Sequence, residues 1–113
     1  MSIAVEPYKD QTSVIIHVGK TLDFSNALTF KETCYDRLHV GARRFILDFS
    51  ETGILDSTGL GAIFSLYREV TRLKGQVVFA SLTSPVRMVI QISRIHRVFP
   101  SYATVDAACA AVC

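Results

Sequence analysis

Residues 45–63 decide the fold, and they read Phe45-Ile46-Leu47-Asp48-Phe49-Ser50-Glu51-Thr52-Gly53-Ile54-Leu55-Asp56-Ser57-Thr58-Gly59-Leu60-Gly61-Ala62-Ile63. The first five residues are bulky and mostly apolar, which indicates a central strand that is covered on both of its faces. A polar loop over residues 50–56 follows this strand. A helix is then predicted to begin near Ser57, to run to about Lys74 and to stop at Gly75.

Two strands and a helix are predicted upstream of this segment. The strands lie at residues 3–8 and 13–18, and a hairpin turn at Lys9-Asp10-Gln11-Thr12 joins them. The helix runs to about His39, and Asp23 or Ser25 is predicted to cap it. Its apolar residues recur at steps of three and four; they are Ala27, Phe30, Cys34 and Leu38.

Downstream of the segment, a strand is predicted at residues 76–80. A helix then begins at Ser84, which is predicted to be its capping residue, with Pro85 in the first helical position. This helix ends near Ser93. A last short strand is predicted at residues 98–99, and a final helix begins at about Val105.

The order of these elements is typical of an α/β fold. Strands that are joined through helices run parallel, whereas the opening hairpin adds one antiparallel strand. We therefore predict a mixed, mostly parallel sheet with an N-terminal antiparallel hairpin and about four helices, formed by residues 1–113 as a single domain. The predicted core includes Leu47, Phe49, Ile63, Val78 and Val89.

The composition excludes several classes of protein. With 113 residues, of which 50% are hydrophobic and 19% charged, the chain is not intrinsically disordered. Its net charge is only +2, and Arg43-Arg44 is the only basic doublet, which argues against nucleic-acid binding. The first residues do not resemble a signal peptide, and no apolar run reaches the roughly 20 residues of a membrane helix. We expect a cytoplasmic protein without direct membrane insertion.

The three cysteines, Cys34, Cys109 and Cys113, do not form a disulfide framework. Cys109 and Cys113 lie four residues apart on the final predicted helix, so they could form half of a metal site or a pair of small apolar residues. No histidine or second cysteine pair stands near them, which favours the apolar pair. We predict neither a metal nor another cofactor.

Polar side chains follow three of the predicted strands: Asp23 and Ser25, then Asp56 and Ser57, then Thr83 and Ser84. The carboxyl ends of parallel strands meet at one end of a sheet, where sites form in open α/β folds. All of these residues could also be helix caps and nothing more. This plain reading is favoured for Ser84, because a proline follows it.

The plain reading is weaker at Ser57, because Gly59 and Gly61 follow it. Each glycine costs a helix about 1 kcal/mol relative to alanine, and glycine belongs where a backbone or another molecule comes close. A hydroxyl at a helix N-terminus can carry a phosphate that the free amides partly satisfy. The residues alone leave Ser57 and Thr58 as alternative acceptors.

Enzyme motifs are not completed around Ser57. A phosphate-binding loop needs a lysine after its glycines, and Ala62 follows Gly61 instead. A serine nucleophile needs a positioned base, and the spacing does not relate any of the histidines to Ser57. We therefore predict that the chain is not an enzyme.

Residues 45–63, with the core Asp56-Ser57-Thr58-Gly59-Leu60-Gly61, resemble the STAS domain of bacterial anti-sigma factor antagonists. Val18-Gly19 and Leu22-Asp23 resemble the Gly-x-Leu-Asp turn of that family, with one extra residue here. Residues 80–85 resemble its next strand and Ser-Pro helix start. The resemblance therefore spans nearly the whole chain.

The resemblance implies a partner switch. The serine at the position of Ser57, directly after the aspartate, is phosphorylated in that family by an anti-sigma factor that is also a serine protein kinase. The unphosphorylated antagonist binds the anti-sigma factor and frees the sigma factor, and a phosphatase resets the phosphorylated form. The partner-binding residues implied here are Asp23, Ser25, Asp56, Ser57, Thr58, Gly59, Leu60, Gly61 and Ser84.

The chain departs from the family pattern at Arg94, where a glycine usually follows the hydroxyl residue at the position of Ser93. This difference bears on the helix end and on partner preference. Two other functions stay open: a non-switching STAS subunit of a lipid-transport ABC complex, and a small-molecule or nucleotide sensor. The intact acceptor motif favours the switch.

Overall fold

The computed structural model describes residues 3–8 and 12–113. The strands are β1 (Ala4–Tyr8), β2 (Ser13–His17), β3 (Thr21–Leu22), β4 (Arg44–Asp48), β5 (Ile54–Leu55), β6 (Gln76–Ala80) and β7 (Ser101–Tyr102). The helices are α1 (Ala27–His39), α2 (Ser57–Arg72), α3 (Ser84–Ser93) and α4 (Val105–Val112), and a 3-10 turn spans Ile95–Arg97. Residues 9–11 of the predicted hairpin turn lie outside the described residues. No helix among the described residues has the length and apolar character needed to span a bilayer.

The main sheet has five strands in the order β1-β2-β4-β6-β7. β1 runs antiparallel to β2, and all the other neighbours are parallel. β4 occupies the centre, where Ile46 pairs with Ile15 on one side and Val78 on the other. The predicted mixed, mostly parallel sheet with four helices is confirmed.

A second, two-stranded sheet lies outside the predicted plan. Thr21 and Leu22 of β3 pair in parallel with Ile54 and Leu55 of β5. The expectation of an uninterrupted loop over residues 50–56 is therefore wrong, because two of its residues form a strand. A strand of two residues is too short to produce a hydrophobic period. The pairing brings the segment before α1 next to the segment before α2.

The central strand separates two apolar clusters. Phe45 and Leu47 belong to the larger one, under α1, α2 and α3, whereas Ile46 belongs to the smaller one, which α4 covers. The ring of Phe79 contacts Phe49 edge-on, with 5.3 Å between centroids, and stacks on Phe99 at 4.7 Å. Leu47, Phe49, Ile63 and Val78 are buried as expected, and Val89 is partly buried. β4 is covered from both sides.

The capping residues of α1 and α3 differ from the prediction. Neither Asp23 nor Ser25 caps α1, whose N-cap residue is Asn26 and makes no side-chain capping bond. The Asp23 carboxylate instead accepts the Ser25 backbone N–H at 2.9 Å and so closes a turn before the helix. Thr83, and not Ser84, caps α3. A cap side chain must act from extended backbone; Thr83 is extended, and Ser84 is already helical.

The ends of α2 and α3 also correct the prediction. α2 ends at Arg72, and the left-handed residue after it is Lys74 (φ 65°), not Gly75. Gly75 serves a different purpose, because a Cβ there would collide with the backbone oxygen of Arg43. The strand predicted at residues 98–99 is wrong: Phe99 is buried in the core, and the last strand follows at Ser101–Tyr102.

Candidate functional site

The Asp56 carboxylate organises the start of α2. One oxygen, Oδ1, accepts the Gly59 backbone N–H at 2.8 Å and caps the helix. The other, Oδ2, accepts the Phe24 backbone N–H at 3.0 Å. A single half-buried side chain therefore joins the turn before α1 to the first turn of α2.

Gly59 allows these two segments to approach each other. Its position is buried, and a Cβ built there would collide with the backbone oxygen of Leu22. The Asp56 backbone N–H donates to the same Leu22 oxygen at 3.3 Å. Packing within the chain therefore explains this glycine and its cost in helix propensity.

Gly61 has no such explanation. It is exposed, and a Cβ there would meet no atom within 4 Å. It lies instead on a groove of about 410 Å³ between α1 and α2, lined by Ala27, Leu28, Lys31, Thr58, Gly61, Ala62 and Ser65. No contact within the described chain requires a glycine at this position. Because Gly61 has no side chain, it leaves this part of the groove unfilled.

Ser57 and Thr58 are the first two residues of α2, and both are exposed. Neither hydroxyl makes a hydrogen bond within the described part of the chain. Asp56 already caps the helix, so folding does not use the Ser57 hydroxyl. The first turn also provides unpaired backbone N–H groups and the positive end of the helix dipole, which together favour an anion.

Asp23 and Ser25 form their own hydrogen-bonded turn beside this site. The Ser25 backbone and hydroxyl both donate to Oδ1 of Asp23, at 2.9 and 2.5 Å. Among the described residues, no hydrogen bond joins Asp23 to Ser57. Phe24, between the two turn residues, has 79% of its surface exposed and was missed by the sequence analysis. The sequence could have indicated this residue, because Phe24 is a large apolar side chain that does not belong to the apolar repeat of α1.

The turn at Thr83 and Ser84, the third predicted turn, is connected to the other two loops by hydrogen bonds of Thr52. The Thr83 hydroxyl donates to the backbone oxygen of Thr52 at 2.5 Å. The Thr52 hydroxyl, which is fully buried, donates to the Gly19 backbone oxygen at 2.6 Å. The loops after β2, β4 and β6 are thereby connected. Ser84 is exposed at this end, and no hydrogen bond in the described chain joins it to Ser57.

Thr52 itself gave no signal in the sequence, because a threonine in a polar loop is ordinary. Its position is set by contacts with loops that are distant along the chain: the Gly19 oxygen is 33 residues away and the Thr83 hydroxyl 31 residues away. Only the folded arrangement shows that Thr52 connects the three loops, through its hydroxyl to Gly19 and through its backbone oxygen to Thr83.

His17 lies between two carboxylates at the edge of the sheet. Its Nδ1 is 2.7 Å from Oδ2 of Asp48, and its Nε2 is 2.9 Å from Oε1 of Glu6. Burial lowers the pKa of His17, but the hydrogen bonds and charges of Glu6 and Asp48 outweigh it, so the pKa is raised above 6.5. The imidazole links β1, β2 and β4, and no hydrogen bond in residues 3–8 and 12–113 connects it to Ser57.

Among the described residues, no group of three or more His, Cys, Asp or Glu side chains could hold a metal ion. Cys109 lies on the buried side of α4, Cys113 is partly exposed, and neither forms a disulfide.

Comparisons with known proteins point in one direction. The family model described as "STAS domain" matches residues 4–108. A Thermotoga neapolitana protein named "Putative anti-sigma factor antagonist TM1081 homolog" is 30% identical over 104 residues, which cover 90% of this chain and 92% of that protein.

Two solved structures share the fold. The first is that of the Thermotoga maritima protein tm1081, with a TM-score of 0.90 and 24% identity, covering 97% of this chain and 93% of that one. The second is that of the Bacillus cell fate determinant SpoIIAA in its phosphorylated form, with a TM-score of 0.79 and 19% identity, covering 99% and 100%. At these identities the two structures establish the fold alone.

Proposed function

Because the chain belongs to the STAS-domain family, we propose that it is an anti-sigma factor antagonist controlled by phosphorylation. The unphosphorylated chain binds an anti-sigma factor that is also a serine protein kinase, and the sigma factor is released. That kinase transfers phosphate from its own ATP to Ser57, and the modified chain dissociates. A phosphatase restores the binding form. The chain itself performs no catalysis and needs no cofactor.

The exposed Ser57 hydroxyl is the observation that carries this proposal. A serine at the start of a helix is usually occupied in capping. Here Asp56 fills that role, with Oδ1 of its carboxylate 2.8 Å from the Gly59 nitrogen. The Ser57 oxygen is therefore free to act as a phosphate acceptor. Thr58 is also exposed, and the family resemblance selects Ser57, which directly follows the aspartate.

The surroundings of Ser57 support a surface that a partner can cover. Gly61 leaves the α1–α2 groove open for close approach of a partner's backbone. The exposed ring of Phe24 provides an apolar contact beside it. The proposed partner-binding residues are those of the sequence analysis: Asp23, Ser25, Asp56, Ser57, Thr58, Gly59, Leu60, Gly61 and Ser84.

Electrostatics explains how a phosphate would reverse binding. It adds about −1.5 to −2 charges at neutral pH. In the free protein, the N-terminal amides of α2 and surrounding water can solvate that charge. In a packed interface the charge would lose its water and stand near the Asp56 carboxylate, which disfavours the complex. A protein of the same fold, Bacillus SpoIIAA, has a phosphorylated form, which supports phosphorylation as the modification of this chain.

The rest of the proposal concerns the setting. Residues 1–113 act as one STAS domain in the bacterial cytoplasm, where the kinase, the phosphatase and the sigma factor of transcription are found. We propose no nucleic-acid partner, because the net charge is only +2 and Arg43-Arg44 is the only basic doublet of the chain. Its signal passes entirely through protein partners.

The test begins with capture of the partner from native cells. Tagged wild-type, Ser57→Ala and Ser57→Asp chains are used in parallel, with Ser101→Ala, at an exposed serine on β7 outside the proposed contact set, as a matched control. The captured kinase is then incubated with each chain and ATP, and phosphosites are mapped by mass spectrometry. Ser57→Ala should remain bound and unmodified, and Ser57→Asp should bind weakly. Ser101→Ala should bind and be phosphorylated as the wild type is, and Thr58→Ala should still be phosphorylated on Ser57.

Phosphate found on Thr58 with Ser57 unmodified would refute the acceptor assignment. Equal affinity of the wild-type, Ser57→Ala and phosphorylated chains for the captured partner would remove the switch. If that partner were then a transport ATPase, the chain would be a constitutive subunit of a lipid-transport complex. Nucleotide binding to the isolated chain in calorimetry would indicate a sensor instead.

A further inference from the structure

The charges of the chain are unevenly distributed. Between Glu69 and Asp106 no acidic residue occurs, whereas this stretch contains Arg72, Lys74, Arg87, Arg94 and Arg97. Three of these arginines lie on or just after α3. The near-neutral total of +2 therefore conceals a locally basic surface.

We define the α3 face as the exposed residues Arg87, Met88, Gln91, Ile92, Arg94 and His96. Val86 and Ile90 point into the core, so helical spacing places Met88, Gln91 and Ile92 on the opposite, outer side. Met88 is 61% exposed and Ile92 is 76% exposed. Since they are four residues apart, the two side chains are neighbours on the helix surface. They form an apolar pair flanked by arginines.

Arg87, Arg94 and Arg97 form no ion pair with an acidic side chain among residues 3–8 and 12–113. The ion pairs among the described residues are those of His17 with Glu6 and Asp48, and of Arg72 with Glu69. Arg87 makes only a long hydrogen bond, 3.4 Å, to the Leu82 backbone oxygen. The guanidinium charges of the α3 face are thus available to an external anion.

Arg94 lies at the end of α3, where its side chain is exposed. It caps the C-terminal end of α3 in a left-handed conformation, with φ 63°. Glycine adopts this conformation without strain, and it is the residue favoured at such helix ends. Within the described residues, the Arg94 side chain makes no hydrogen bond or ion pair. The exposed Arg94 guanidinium is therefore not used by the described part of the fold, although its backbone conformation favours glycine.

A small cavity borders the α3 face. Its volume is about 140 Å³. Its polar lining residues are Arg87, Gln91, His96 and Ser101, and its apolar lining includes Phe79, Ile90 and Phe99. Such a cavity can take one apolar side chain of a partner while a neighbouring carboxylate meets Arg87.

We propose that the α3 face binds an acidic amphipathic helix of a protein partner. Apolar side chains of that helix cover Met88 and Ile92 and enter the cavity, and its carboxylates pair with Arg87 and Arg94. Arginine suits this task because its planar guanidinium binds a carboxylate through two hydrogen bonds. The proposal does not depend on phosphorylation of Ser57.

A membrane surface fits this face less well. Segments that bind anionic lipids carry clusters of roughly four to eight Lys or Arg residues, and interfacial helices carry Trp, Phe or Leu as anchors. The α3 face has two arginines, with Arg97 nearby, and no exposed aromatic ring beyond the His96 imidazole. Its short apolar pair matches a protein helix better than a lipid surface.

The first experiment titrates the ¹⁵N-labelled full chain with a synthetic helical peptide. The peptide has leucines at i, i+3, i+4 and i+7 and glutamates at the flanking positions; a control peptide has glutamines in place of the glutamates. We expect the acidic peptide to shift the amide signals of residues 86–98 and the glutamine peptide to bind at least about fivefold more weakly. Added salt should remove this difference, because it screens exposed charges.

Variants then locate the contact. Arg94→Glu and Ile92→Ser should each weaken binding about fivefold, a size expected for one exposed pair or one partly covered apolar side chain. Arg68→Glu, which makes the same charge change on the exposed surface of α2, is the matched control and should leave binding unchanged. Arg94→Gly should weaken binding and yet raise the melting temperature, because it relieves the left-handed strain.

Four results would overturn the proposal. The glutamine peptide could bind equally well, or the shifted signals could lie on the α1–α2 groove instead of α3. Vesicles of phosphatidylglycerol could bind the chain while the acidic peptide does not, which would assign the face to a membrane. No binding of the acidic peptide up to about 1 mM, a free energy near −4 kcal/mol, would also exclude it.

Discussion

The first turns of α2 and α3 are built alike at the level of sequence. Each follows a strand and a short polar segment, and each has an exposed serine as its first residue, Ser57 in α2 and Ser84 in α3. In each case the residue before the serine is the cap, and it accepts the N–H of the third helical residue. The tertiary surroundings nevertheless give the two turns different properties.

The cap of α2 does more than that of α3. Asp56 uses both carboxylate oxygens, at 2.8 Å from the Gly59 nitrogen and 3.0 Å from the Phe24 nitrogen. Thr83 has one hydroxyl, which donates to the Thr52 backbone oxygen and lies 3.5 Å from the Val86 nitrogen. The start of α2 is thus held to a neighbouring turn through a charged group.

The second and third helical residues differ as well. In α2 the second residue is Thr58, which keeps its backbone N–H, whereas in α3 it is Pro85, which has none. The third residue is Gly59 against a backbone oxygen in α2, and a fully buried valine in α3. The first turn of α2 therefore has one more backbone N–H that could bind an anion, whereas the first turn of α3 places a buried valine in the core. A serine at a helix start does not by itself mark a site.

The largest effects should come from changing the third helical residue in each turn. Gly59→Ala would force a methyl group against the Leu22 oxygen and should cost about 1–3 kcal/mol of unfolding free energy. Val86→Ala would remove buried methyl groups worth about 0.8 kcal/mol each and leave a cavity. Urea unfolding measures the loss of unfolding free energy in each variant, one caused by an added methyl group and the other by removed methyl groups.

Gly61→Ala is the control for Gly59→Ala, since a Cβ at Gly61 meets open space. It should leave stability unchanged or raise it by up to about 1 kcal/mol, the difference in helix propensity. Equal losses at the two glycines would show that helix propensity, and not the approach of Leu22, determines their effect.

Removal of the caps should have the next largest effect. Asp56→Ala loses two hydrogen bonds and a favourable charge at the helix N-terminus, and we expect a loss of about 2 kcal/mol. Thr83→Ala should cost about 1 kcal/mol. Thermal unfolding followed by circular dichroism measures both. Asp56→Asn, which keeps the shape and one acceptor, should lie between the parent and Asp56→Ala; a loss at Asp56 no larger than that at Thr83 would contradict the bridging role.

The pH dependence of stability should come from His17 and not from the first turns of α2 and α3. The pKa of His17 is raised, so the stability that His17 contributes is present below its ordinary pKa of 6.5 and is lost as the pH rises through the higher folded value. Stability should therefore fall as the pH rises from about 6.5 through the raised pKa of folded His17. His17→Gln should remove this fall, and Asp56→Ala and Thr83→Ala should keep it unchanged. A fall that persisted in His17→Gln would assign it to other groups.

The smallest effects should follow removal of the two serine hydroxyls. Both serines are exposed and neither caps its helix, so Ser57→Ala and Ser84→Ala should each change stability by less than about 0.5 kcal/mol. Calorimetry of the two variants provides the measurement. A larger loss in Ser57→Ala would mean that folding uses its hydroxyl, which would weaken the argument for a free phosphate acceptor.

Local patterns were enough to predict a large part of this molecule. The bulky run at residues 45–49 predicted the central strand, and the stripe of Ala27, Phe30, Cys34 and Leu38 predicted α1, whose buried residues are those four. Ser57 was expected at the start of α2, and it is the first residue of that helix. These features depend on side chains a few residues apart, so their period is visible in the sequence.

The candidate site was predicted less completely. The sequence indicated that Asp56, Ser57 and the two glycines were unusual. It did not indicate that Gly59 is required by the close approach of the Leu22 backbone, whereas Gly61 has no such contact. It also missed Phe24 and Thr52. The cap of α3 was placed one residue late, at Ser84, because adjacent hydroxyl residues offer the same capping group and only the backbone conformation of Thr83 distinguishes them.

By itself, the sequence determined the alternation of strands and helices, the central position of β4 and the start of α2. Only the tertiary structure decided that β3 pairs with β5, that Asp56 binds the Phe24 amide 32 residues away, and that Thr52 joins the loops at this end of the sheet. The physical reason is range. Burial periods and helix caps arise between near neighbours in the chain, whereas a hydrogen bond or a close approach between distant segments exists only after the sheet has brought them together.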